Sequence, residues 1–297
     1  MLTVFGSIII DNIYSAPSLP RPGETVLADA LFVGPGGKGA NQAVAAARVG
    51  AEVAMVGSIG SDAARHISMQ AFAAAGVEVS GIEIDEGPTG SAAVMVDTDG
   101  SNAICVAPAA NRRTSAMQMT NAIWDQTTTL LMQMEIRFGE IEAAIFEARR
   151  RDIRNILNLA PAAPLGLEAL RALDILIVNE IELAMLASQL ELNGDSHEAM
   201  TRLAADTLDI AVVVTLGERG ALCVSGESLL RAPALAIDPV DTTGAGDAFC
   251  GVFAASLDAG LDLEEALRRG CVAGSLACLK TGAQESLPTA EDLSEYP

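Results

Sequence analysis

The chain is 297 residues long and half apolar, enough for one large α/β domain or two modest ones. A formal charge of −21 argues against binding to nucleic acid or an anionic membrane, so any anionic ligand needs a local positive site. Only His66 and His197 are present, far apart, which argues against a histidine-built metal site. Cys105, Cys223, Cys250, Cys271 and Cys278 show no C-x-x-C spacing and fit a reduced, cytoplasmic setting with buried thiols. Scarce aromatics and abundant alanine predict an aliphatic core with closely packed helices. The N-terminus has no basic n-region or small-residue cleavage site, so no signal peptide is expected. No unbroken apolar run reaches membrane-spanning length.

In chain order, β and α patterns alternate, the signature of a parallel sheet covered on both faces. Strands are expected at Thr3 to Ile10, Glu52 to Val56, Thr129 to Met134, Ile153 to Leu157, Ile175 to Val178 and Ala211 to Leu216. Helices are expected at Lys38 to Val49, Ala64 to Ala75, Ile141 to Arg151, Leu167 to Ala172, Ile181 to Leu190, His197 to Leu208, Ala245 to Leu257 and Leu263 to Leu279. Asp262 with Glu265 resembles a capping box. Two regions break the alternation. Asn12 to Val33 is long, extended and Pro-containing, and Ser91 to Val106 alternates around Asp97-Thr98-Asp99-Gly100 as a hairpin. Together they predict a small β-sheet, from about 12–33 and 91–106, projecting from a single domain of 1–297 and placed to act as a lid.

Polar residues sit where the strands end. Asp11 follows the first strand, Glu135 the third, Asn158 ends Ile156-Leu157, Asn179 follows Val178, and Thr215 with Gly217 closes Val212-Val213-Val214. One such residue is ordinarily a cap or a turn. In an open parallel sheet, however, all carboxyl ends share one edge, where such folds bind ligands. The edge reads as a polar cleft.

Gly34-Pro35-Gly36-Gly37-Lys38-Gly39-Ala40-Asn41 opens a helix and formally satisfies G-x-G-x-x-G. It does not follow the first strand, and the next strand lacks a terminal acid for ribose hydroxyls, which argues against a nicotinamide-dependent oxidoreductase. It is not a Walker A loop either, because Gly39 occupies the Ser/Thr position. A turn offering N–H groups, Lys38 and Asn41 to a hydroxylated ligand accounts for it better, and a merely solvated Lys38 fits a glycine run less well.

Asp241-Thr242-Thr243-Gly244-Ala245-Gly246-Asp247 opens the apolar helix that carries Phe249, Val252, Phe253 and Leu257. Its first amides lack partners, and the helix dipole adds roughly half a positive charge there, so a phosphate could approach past Gly244 and Gly246. Beside that phosphate, Asp247 makes sense as a base. Taken alone, the stretch fits equally well an ordinary helix with an acid in its first turn.

The run Gly36 to Arg48 resembles the first signature of the ribokinase-like (PfkB) sugar kinases, and Asp241 to Asp247 resembles the second. Gly6-Ser7-Ile8 with Asp11, Leu157 to Ala162, Asn179-Glu180-Ile181-Glu182 and Gly282 to Ser286 fall in the same order, so the likeness covers essentially the whole chain. It implies a three-layer α/β/α fold with a mostly parallel central sheet and a small β-sheet lid. It also implies ATP-dependent phosphorylation of a sugar hydroxymethyl group, D-ribose to ribose 5-phosphate first. Asp247 is implied as the base, and the amides of Gly244, Ala245, Gly246 and Asp247 as the anion hole. Asp11, Gly37, Lys38, Asn41 and Glu135 are implied to hold the sugar.

On the nucleotide side the resemblance implies that Asn179 and Glu182 organise Mg²⁺ through water, and that Thr215, Gly217 and Val272 to Ser275 line the ATP site. Asp241, Thr243 and Ser286, with carbonyls near Leu279, Gly282 and Gln284, correspond to a potassium site. For Asp241 a turn-capping role is nearly as good a reading. The lid would close over the sugar and pair between two subunits as a homodimer. One position departs from the family: Ile9 stands where an Asn is usual, which opens a second reading, another sugar or a nucleoside as substrate. A non-catalytic sugar-binding protein would need no base at Asp247.

Overall fold

The structure, a computed structural model, describes residues 1–296. Its strands are β1 (Leu2–Phe5), β2 (Ile9–Ser15), β3 (Ala30–Gly36), β4 (Val53–Gly60), β5 (Glu78–Asp85), β6 (Gly90–Val96) and β7 (Asn102–Ala107). They continue with β8 (Thr129–Met132), β9 (Arg154–Asn158), β10 (Ile175–Asn179), β11 (Ala211–Thr215), β12 (Ala221–Ser225) and β13 (Ser228–Ala232). Nine of them form one sheet in the order β13-β12-β11-β10-β9-β8-β1-β4-β5. From β11 to β5 every pairing is parallel, and β12 turns antiparallel at one edge.

The central strands are apolar throughout because both faces are covered. Along β11, Val213 packs into one core with the helices Lys38–Arg48, Ala245–Asp258 and Leu263–Ala277, while Val212 and Val214 pack into another with Phe138–Arg150, Glu180–Gln189 and His197–Leu208. The pleat, with side chains on alternating faces, therefore generates three layers. The expected parallel sheet, its strands and its long helices are present, with bounds shifted by a few residues.

The second sheet is four-stranded, in the order β3-β2-β6-β7. Here the expected first strand needs correction. Thr3 to Ile10 does not run unbroken: β1 stops at Phe5, and Ile9 begins β2 in the other sheet. The chain crosses over at Gly6-Ser7-Ile8, where the Asn111 side chain accepts from the Ile8 amide at 2.8 Å and donates to its carbonyl at 2.8 Å. The predicted hairpin is β6–β7. Strands β5, β12 and β13 were not expected, and the run Leu235 to Val240 joins neither sheet. The Asp262–Glu265 box is half formed: Asp262 accepts from the Glu265 amide, but the Glu265 carboxylate turns to Arg268.

Candidate active site

Two helices meet at the carboxyl edge of the large sheet. Gly251, nearly two turns into Ala245–Asp258, lies so close to Lys38–Arg48 that an added Cβ would fall 2.4 Å from the Gln42 carbonyl oxygen. Ala45 and Ala46 complete this tight seam. The approach brings Asn41 and Gln42 onto Asp247, each donating to a different carboxylate oxygen at 2.9 Å. A buried amide network stands behind them. Gln133 donates to Gln42 at 2.7 Å, Gln42 to Asn158 at 3.1 Å, and Gln284 to Asn41 at 3.1 Å. Asp247 is 7% exposed and held in one orientation by the two amides, while Gln133 Oε1 and Gln284 Oε1 behind them have no donor.

The two helix N-termini facing this cleft differ. At Lys38–Arg48 the amides of Lys38, Gly39 and Ala40 are taken by Glu135 Oε2, Ser7 Oγ and the Ser7 carbonyl. The turn expected to offer N–H groups to a ligand has spent them on the protein itself, and what it presents is side chains. At Ala245–Asp258 the Ala245 amide bonds the Thr242 carbonyl and the Ala248 amide that of Gly244. Among the described residues, the amides of Gly244, Gly246 and Asp247 have no acceptor. Gly244 takes φ 79°, the left-handed conformation that starts the helix, and Gly246 borders open space. An open helix N-terminus of this kind binds anions.

Around Asp247 lie Asp11, Glu135 and Lys38. Asp11 is not at the end of β1 but on β2, its carboxylate folded over Gly36, where a Cβ would fall 2.1 Å from Oδ2. Burial, then the charges of Glu135, Asp247 and Glu285, push its carboxyl up to about 6, against the pull of Lys38. Lys38 is raised above its ordinary value, first by Asp247 and then by Glu135 and Glu182, yet forms no ion pair within 4 Å among the described residues. Glu135 accepts from Ser7 at 2.6 Å and from the Lys38 amide with the same oxygen. Gly37 adopts φ 89° against the Ile9 backbone, so no side chain fits there. Ile9 shares a face with Asp11 but is 2% exposed, so it offers the cleft almost no surface.

Beyond Gly246 a cleft of about 600 Å³ is lined by Thr215, Gly217, Gly274 and Ser275, as expected, and also by Thr242, Ala245, Phe249 and the 235–237 segment. Val272 does not line it: the side chain is buried in the core. Ser275 reaches the cleft, but its hydroxyl is engaged, accepting from the Leu235 amide and donating to the Cys271 carbonyl.

Asn179 and Glu182 form a full capping box, with Glu182 accepting from the Asn179 amide at 2.8 Å and from its side chain at 3.1 Å. Burial holds the Glu182 carboxyl above its usual range despite the Asn179 amide and Lys38. Asp241 accepts from the Thr243 amide at 2.9 Å and the Gly282 amide at 3.0 Å. Burial raises its carboxyl, but the hydrogen bonds from Thr243 and Gly282 outweigh that and hold it below its usual range. The two expected cation segments are thereby brought together. Ser286 donates to the Ala283 carbonyl, and Leu279 is 40% exposed. Gln284 presents a buried Oε1 with no donor.

Sequence reasoning passed over Gln42, Gln133 and Ser7, whose bonds hold the site, and Glu285, which approaches the small sheet. Gln42 stood within the quoted signature, and Gln133 lies two residues before Glu135.

The pfkB family carbohydrate kinase profile matches residues 1–290. A ribokinase of Haemophilus influenzae is 35% identical over 298 residues, covering 99% of this chain and 97% of its own. A deoxyribokinase of Salmonella typhi is 31% identical over 299 residues, covering 99% and 98%. The structure of Arabidopsis thaliana ribokinase complexed with ribose and ATP superposes with a TM-score of 0.90 at 30% identity, covering 99% of this chain and 97% of that one.

Proposed function

This chain belongs to the pfkB family of carbohydrate kinases, and on that footing we propose that it phosphorylates the hydroxymethyl group of D-ribose with ATP. The observation that carries the reading is Asp247, fixed by Asn41 and Gln42 at the head of a helix whose Gly246 and Asp247 amides are free. Asp247 takes the proton of the sugar hydroxyl, whose oxygen attacks the γ-phosphorus. The bond from γ-phosphorus to the bridging oxygen breaks, and ADP leaves. The amides of Gly244, Gly246 and Asp247 receive the charge that develops, each worth roughly 3 kcal/mol in comparable sites, while the Ala245 amide, expected to join them, is spent on the Thr242 carbonyl.

Asp11, Lys38, Asn41 and the free oxygen of Glu135 hold the sugar hydroxyls, with Gly37 letting the Ile9 backbone pass close behind them. The apolar cleft from Thr215 and Gly217 to Ser275 takes the adenosine. Its volume is that of a small-molecule site. The oxygens of Asn179 and Glu182 suit Mg²⁺ held through water, which would neutralise phosphate charge. Asp241, brought against the 279–286 segment by the Gly282 amide, suits a weakly held K⁺ with the carbonyls near Leu279, Gly282 and Gln284.

The four-stranded sheet serves as the lid. Exposed Leu31, Phe32, Val33, Ile104 and Val106 on it support pairing of two subunits there. No described helix is long and apolar enough to cross a membrane, and five unpaired cysteines support a cytoplasmic setting. The test is a coupled ADP-release assay with Mg-ATP, with and without potassium, over pentoses, 2-deoxyribose, hexoses and nucleosides. Selective turnover of D-ribose is expected, and turnover of a nucleoside in preference to ribose would overturn the substrate.

A further inference from the structure

In the pairing of β2 with β3, Asp11 lies opposite Gly34 and Ile9 opposite Gly36, so both glycines share the cleft face of the lid with Asp11. Gly36 is covered by a carboxylate, and Gly34 by the Phe32 ring at 2.5 Å with a carboxylate next to it. A Cβ on Gly36 would meet Asp11 Oδ2 at 2.1 Å, and one on Gly34 would lie 3.4 Å from Glu285 Oε1. The loop that carries Glu285 is pinned to the site on one side by Gln284 on Asn41 and on the other by Gly282 on Asp241. Glu285 itself makes no hydrogen bond or ion pair with any described residue. Its charge also acts on the Asp11 carboxyl.

We propose that Glu285 is a sugar-contacting residue of this chain, accepting a hydrogen bond from a ring hydroxyl beside the one that Asp11 holds. The proposal rests on the sugar-kinase reading above. Two neighbouring carboxylates with free lone pairs match the vicinal hydroxyls of a pentose, whose donors relieve the repulsion between them. The charged groups facing this pair are Glu135 and Asp247 from the floor of the site and Lys38 from the helix opposite.

The test uses Glu285→Ala and Glu285→Gln, with ribose turnover and calorimetric ribose binding measured side by side. Glu285→Ala is expected to weaken ribose binding and raise its KM roughly tenfold, with kcat within about twofold and the ATP KM unchanged. Glu285→Gln keeps an acceptor but not the charge. Its KM should be intermediate, and the acid limb of kcat/KM should move to lower pH as Asp11 is relieved. Wild-type KM, binding and pH profile in both variants would overturn the assignment. Absent turnover with binding still weakened in Glu285→Ala would sink the phosphotransfer reading alone, and absence of both would overturn both.

Discussion

Asn41 donates to Asp247 across 206 residues of chain, at 2.9 Å, and Gln42 occupies the other oxygen at the same distance. Together they aim the carboxylate proposed as the base. Gln42 is fully buried, and Gln42→Leu would leave Asp247, Asn158 and Gln133 each short of a partner. The expected cost is roughly 2–4 kcal/mol of stability, read from denaturant unfolding, together with a fall in kcat. Asn41→Ala should lower kcat about 10- to 100-fold and also raise the sugar KM, because its side chain serves both ends.

That alignment depends on how closely two helices pack. Gly251→Ala puts a methyl 2.4 Å from the Gln42 carbonyl, which must move. A stability loss of about 1–3 kcal/mol is expected, with kcat reduced in step as Asn41 and Gln42 shift off Asp247. Unchanged kcat in a folded Gly251→Ala would show that the seam does not set the base.

Asp11 keeps its proton to about pH 6 in the folded chain, above the 3.8 of an unfolded carboxyl. Between those values the folded state binds more protons, so stability falls as pH rises through the window. Asp11→Asn should therefore be more stable than wild type at pH 7, by about 3 kcal/mol at most, while binding sugar poorly. In wild type, kcat/KM for the sugar should fall on the acid side near pH 6. Thermal unfolding at pH 4.5 and pH 7.5, beside the pH–rate profile, checks both.

Ile9→Asn restores the amide that the family usually carries. The side chain is 2% exposed, so the new amide would be buried in the sheet junction rather than offered to the sugar. No gain above about threefold in kcat/KM for ribose is expected, along with some loss of stability. A large gain would return the substrate question to this position.

Much of the fold was legible because the apolar runs were unambiguous: Val212-Val213-Val214 and Leu176-Ile177-Val178 can only be buried strands. The first strand was misread because Ile8, Ile9 and Ile10 continue its apolar pattern. What ends it is Asn111, a residue 103 positions away. Strand β5 was missed because Glu78, Glu83 and Asp85 mask its alternation. Within the site, the two long motifs do meet, through Asn41 and Gln42 of the first on Asp247 of the second. The allocation of backbone amides was not readable, since Ser7 and Glu135 close one helix N-terminus while Thr242 takes only one amide of the other. Such choices follow from tertiary contacts that spacing does not encode.

The central claim is that Asp247 is the base, and the direct measurement is kcat beside ribose affinity in Asp247→Asn. The carboxamide keeps the size of the side chain but cannot take a proton. The account predicts a fall in kcat of about 10²–10⁴-fold with ribose binding by calorimetry retained. Turnover within a few-fold of wild type would contradict it.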